Sequence, residues 1–175
     1  MKTVRSIVSL VLFALCFFSA PEALAKAKKA KKFKATFTTE FFNSAIDPAT
    51  SIFTTEVIGD GNAKFMGKTS FYAKHLFAFT KADLSEGVAW SGEMTLGAAN
   101  GDLLYATYTG DIVPSSDADF PFWLLFDVTF DGGTGRFEDA SGSATVVGVT
   151  TIEEDPTNGL FKGTCSFTVD GTLSK

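Results

Sequence analysis

The feature that most restricts what this chain can fold into is apolar alternation at period two. Phe33, Ala35, Phe37 and Phe41 share one parity, while Lys34, Thr36, Thr38 and Glu40 share the other. Phe120, Phe122, Leu124, Phe126, Val128 and Phe130 repeat the pattern against Asp127, Thr129 and Asp131. Successive side chains of a strand point to opposite faces, so each such segment reads as a strand with one buried and one solvated face. Strands are expected near residues 34–43, 51–59, 63–73, 88–96, 102–113, 120–131, 143–152 and 159–173, with no helical period between them. The breaks fall at turn-forming stretches rich in Gly, Asn and Asp, at 59–62, 100–102, 131–133 and 157–159.

Eight one-sided strands without helices suit an all-β, eight-stranded antiparallel up-and-down β-barrel, because closure removes the exposed edges of an open sheet. A two-sheet sandwich is the alternative. Eight strands enclose a space just wide enough to be filled by side chains or to hold one small ligand. The chain has 19 phenylalanines in 175 residues, so the inward rings either are the core or line a pocket. Tyr108, Phe122, Phe126 and Phe167 are the inward candidates for contact with a small hydrophobic ligand.

Residues 1–25 are set apart from the barrel. Lys2 and Arg5 precede an apolar run from residue 7 to 18, followed by the small-residue triplet at 23–25. This layout predicts a Sec-type signal peptide cleaved after Ala25, and hence a secreted or periplasmic protein. The apolar run is shorter than the roughly 20 residues a spanning helix needs. A β-barrel that crossed lipid would turn apolar side chains outward, whereas here the polar parities carry acids, so no membrane span is expected after cleavage. Cleavage removes Cys16 and leaves Cys165 alone, so no disulfide is expected and packing must supply stability.

Residues 26–34 read KAKKAKKFK, and residues 35–175 hold 7 basic against 19 acidic side chains. The basic stretch at 26–33 is expected to be a flexible tail preceding a barrel domain at 34–175. An anionic envelope polymer is a candidate partner for the lysines from Lys26 to Lys34, and an exported protein is not expected to meet nucleic acid.

Four segments together carry a resemblance. They are residues 58–69, 98–110, the glycine-rich stretch 132–144 with its GTGRF-x-x-A-x-G element, and the closing strand 163–173. They resemble a group of secreted bacterial proteins, and the glycine-rich element is similar to one found in allene oxide cyclases and plant dirigent proteins. The resemblance covers most of residues 58–173 and implies a calycin-like barrel. The family's functions include a cyclisation, the steering of radical coupling without oxidation, and undefined roles. Where the bacterial group usually has a histidine before Leu-Gly, this chain reads Phe65-Met66-Gly67.

Motifs for chemistry are sparse. There is no G-x-S-x-G elbow, and the one histidine, His75, is expected to be an ordinary exposed or turn residue. One histidine and one thiol do not make a zinc site, and Asp117, Asp119 and the acids at 153–155 follow no calcium-loop spacing. No dinucleotide fingerprint is present, because Glu138 stands at the last glycine position of the 132–144 stretch. No catalytic residue, metal or cofactor is therefore assigned. Cys165 shares parity with Phe161, Phe167 and Val169 and is expected in the core. The sequence points first to an exported, non-enzymatic barrel that binds a small apolar ligand. An isomerase or cyclase resembling allene oxide cyclase, and an envelope protein tethered by its lysines, are the alternatives.

Overall fold

The structure, a computed structural model, describes residues 29–175; the predicted signal peptide and the first residues of the basic stretch lie outside them. Within that span the chain forms β1 (Lys31–Asp47), β2 (Ile52–Ala63), β3 (Gly67–Phe79), β4 (Gly87–Gly97), β5 (Leu103–Pro114), β6 (Phe122–Gly133), β7 (Ser141–Thr150), the two-residue β8 (Glu153–Glu154) and β9 (Phe161–Ser174). From β1 to β7 each strand pairs antiparallel with the next, β9 takes β7 on one side, and β1 pairs with β9 to close the cylinder. The result is an all-β barrel of eight long strands, with β8 a short addition on β9. Closure rules out the sandwich.

The parity read from the sequence holds through the wall. Phe33, Ala35 and Phe37 are buried, as are Leu124, Val128 and Phe130, while Lys34, Glu40, Asp127 and Asp131 face water. Several boundaries differ from expectation, among them β3, at Gly67–Phe79 rather than 63–73, and residues 131–133, expected as a break but part of β6; two more have a visible cause. The first strand begins at Lys31, inside the stretch assigned above to the tail, because Phe33 has a buried place against Phe130 at 5.0 Å and its backbone pairs opposite Gly171. The second concerns residues 59–62, expected to form a turn. Gly59 and Gly61 instead continue β2 opposite Thr39 and Phe37, and the chain reverses at Lys64–Met66, with Phe65 and Gly67 at φ near +73° and +72°.

Those strand glycines belong to a recurrent arrangement. Phe37 faces Gly61, Phe41 faces Gly163, Tyr108 faces Gly92, Phe126 faces Gly110 and Phe167 faces Gly148 across neighbouring strands. A Cβ on Gly61, Gly92 or Gly163 would come within 2.6 to 2.7 Å of the facing ring. The rings thus lie down over glycine backbone rather than standing into the barrel axis, which lets an eight-stranded wall hold so many of them. Such a ring also shields the glycine backbone from water.

The two ends of the barrel differ. At the end where β1 begins, Phe33, Phe137, Leu104 and Leu173 are essentially inaccessible and fill the lumen. Phe137 arrives on the 3₁₀ turn Gly135–Phe137, held by Arg136 Nε 3.4 Å from Asp102 and by its guanidinium donating to Asn100 Oδ1 at 2.9 Å. Midway, Phe37, Phe71 and Phe167 form a layer with ring centroids 5.1 to 5.6 Å apart. Beyond that layer, toward the end where β1 finishes, a cavity interrupts the packing.

Candidate functional site

Above the Phe71 and Phe167 rings lies a cavity of about 60 Å³. Its walls include Val57, Met94, Leu124, Phe126 and Val146, and half-buried Phe79, Ile152 and Phe161 stand where it nears the surface. Phe53, Phe77, Phe79 and Phe161 make a connected group of rings at that end, with centroids 4.9 to 6.2 Å apart. Three of the four expected contact residues, Tyr108, Phe126 and Phe167, line the cavity together. Phe122 has the right parity but sits at the first position of β6, half-buried, and is not part of the lining.

A row of polar side chains crosses this apolar wall at one height. Asn43 of β1 stands opposite Thr55 of β2, and Thr55 stands opposite His75 of β3. The row then passes β4, where the pairing slips on both sides, between Lys74 and Leu76 toward β3 and between Ala89 and Gly92 toward β5. Ser91 sits at this bulge with φ +51°, a conformation that L-residues with side chains adopt at a cost of about 1–3 kcal/mol. Its neighbour Gly92 has no side chain, so the Tyr108 ring of β5 lies over it and reaches His75, where Tyr108 Oη and His75 Nδ1 are 2.6 Å apart. Bulge and glycine together allow two side chains from non-adjacent strands to meet.

Asn43, Thr55, His75 and Tyr108 are shielded from solvent. His75, expected to be exposed or in a turn, is buried at 7% exposure. β3 runs on to Phe79 and keeps its parity, so the residue lies within a strand on the inward face. Burial lowers its pKa to about 4, and the imidazole is neutral at physiological pH. Tyr108 is pushed up from the usual phenol range, first by burial and then by the Cys165 thiol, and stays protonated. Cys165 is buried as expected. Burial raises its pKa, offset in part by its hydrogen bond to Thr150 Oγ1 and by the proximity of Thr39, so it is a thiol rather than a nucleophilic thiolate.

Two polar atoms here lack a partner. Thr55 donates to Asn43 Oδ1 at 3.0 Å, but Asn43 Nδ2 has no acceptor, although Asn43 is only 3% exposed and lines the cavity. Thr39 Oγ1 stands by Cys165 across the β1–β9 ladder without meeting hydrogen-bond geometry. Leaving a buried donor unmet costs about 1–3 kcal/mol, and a fold that tolerates this on the wall of a cavity is positioned to satisfy it from within the cavity.

Among the described residues no carboxylate lines the space. Among the described residues no group of three His, Cys, Asp or Glu side chains is placed to hold a metal ion. The sequence singled out the aromatic wall and missed the polar row, although the parities of β1 and β3, carried a few residues further, place Asn43 and His75 inside. Compared with protein-family models, with curated proteins and with solved structures, the chain gives no match.

Proposed function

We propose that this protein is an exported barrel that binds a small, largely apolar molecule in the cavity above Phe71 and Phe167. The observation that carries this reading is a mostly apolar cavity crossed by buried polar groups, one of them Asn43, whose Nδ2 is unpaired. A domain stabilised only by packing gains from filling such space, so leaving it open in a fold otherwise rich in aromatic side chains supports a ligand over a structural accident. The size limits the guest. About 60 Å³ is below the roughly 150 Å³ of an engineered cavity that takes up benzene, so a longer ligand would seat one end inside and leave the rest in the mouth near Phe79 and Phe161.

Binding is better supported than turnover. A cyclase resembling allene oxide cyclase would be favoured by a carboxylate in the pocket. The ionisable groups in this lining are His75, Tyr108 and Cys165, and burial favours the neutral form of each. Native mass spectrometry of protein taken from its own host, followed by a binding panel of small ketones, terpenoids and fatty acids, tests the proposal. A retained mass or saturable binding that Phe126→Trp blocks is expected. An empty protein that binds no member of the panel overturns it.

A further inference from the structure

We propose that the ligand of this cavity is an uncharged carbonyl compound whose oxygen is seated on the row Asn43–Thr55–His75–Tyr108 and accepts its hydrogen bonds there. This rests on the binding reading above and adds the ligand's chemical class and its orientation.

The argument is a count of hydrogens. Asn43 and Thr55 carry three side-chain donor hydrogens between them, and the bond joining them uses one. The count is the same whichever way round the amide is placed. His75 and Tyr108, both neutral, carry two, and the bond between them uses one. If Tyr108 donates to Nδ1, the proton on Nε2 is left over. If Nδ1 donates to Tyr108, the phenolic hydrogen is left over. Either tautomer therefore leaves the row with donors to spare, and Asn43 Nδ2 is explicitly unmet. The surplus is three donor hydrogens in either tautomer, and a carbonyl oxygen, which accepts two hydrogen bonds and donates none, can take two of them.

Charge is excluded by what else lines the space. Among the described residues no lysine or arginine reaches the cavity, so a carboxylate seated there would be buried with no counter-charge. The apolar remainder of the lining, from Val57 and Met94 to Leu124 and Val146, suits the hydrocarbon part of the guest. The oxygen goes to the inner part of the hollow and the hydrocarbon points to the aromatic mouth.

The test uses three probes of similar size with the full exported chain: cyclopentanone, methylenecyclopentane, in which CH₂ replaces the oxygen, and cyclopentanecarboxylate. Titrations followed by NMR on wild type and Asn43→Leu give the affinities. Cyclopentanone is expected to bind wild type and to lose about tenfold or more in affinity on Asn43→Leu, while methylenecyclopentane keeps or gains affinity and so reports that the variant is folded. The carboxylate is expected not to bind at neutral pH. If Asn43→Leu does not fold, Thr55→Val is used in the same comparison, with a loss in the same direction. Equal response of ketone and alkene to the substitution, binding of the alkene but not the ketone, or binding of the carboxylate as tight as that of the ketone overturns the assignment and leaves the cavity reading standing. Failure of all three probes to bind wild type overturns both.

Discussion

His75 shows how much a single buried group can control. Its pKa is about 4 in the folded barrel against about 6.5 when unfolded, so below pH 6.5 the unfolded chain binds a proton that the folded one refuses. The stability associated with the neutral ring is whole above pH 6.5 and is lost as pH falls toward 4, to a total of about 3 kcal/mol. Thermal unfolding from pH 7 to pH 4 is expected to show this loss in wild type and to show it reduced in His75→Phe. A wild-type imidazole that titrates by NMR near pH 6.5 would contradict the burial. Tyr108→Phe removes the partner of Nδ1 and is expected to cost about 1–3 kcal/mol in denaturant unfolding. Parity marks Tyr108 as inward, but nothing in the sequence announces its partner His75. A lone histidine beside a lysine carries no motif, and its role comes from a bulge one strand away that parity cannot foresee.

Strands were easier to read than the residues they hold, because alternation over ten or more positions accumulates while a site is a coincidence of single positions. The exception is informative. Gly59 and Gly61 have the composition of a turn, yet they lie flat in β2 because Thr39 and Phe37 occupy the space their side chains would need. A glycine in a strand and a glycine in a turn look alike until the facing strand is known. Gly92→Ala is expected to push the Tyr108 ring off β4, costing about 1–3 kcal/mol and altering the near-UV circular dichroism of the tyrosine. The GTGRF element, the most specific part of the resemblance, sits at the filled end, where Gly135 has φ +54° with the Asp102 carboxylate beside it and Phe137 acts as a plug. Its work in this chain is to close the barrel floor. Gly135→Ala is therefore expected to lower the melting temperature while leaving ligand affinity in the surviving folded fraction unchanged.

For the molecule as a whole, the question the sequence left open, filled core or pocket, has a divided answer: one half is fully packed and the other encloses a cavity of about 60 Å³. Paired truncations measure this directly. Phe33→Ala, at a fully buried ring, is expected to cost about 3–5 kcal/mol, and Phe126→Ala, on the cavity wall, markedly less. Equal losses in chemical denaturation would mean the half with the cavity is as tightly packed as the other. Closure of the cylinder adds one more consequence. Lys31 pairs opposite Leu173, so the start and the finish of the barrel lie side by side at the packed end, with the mouth at the far end. Anything that holds the protein by the lysines preceding β1 therefore grips it by its base. A barrel anchored in this way would stand upright on its support, its opening turned outward to whatever diffuses past.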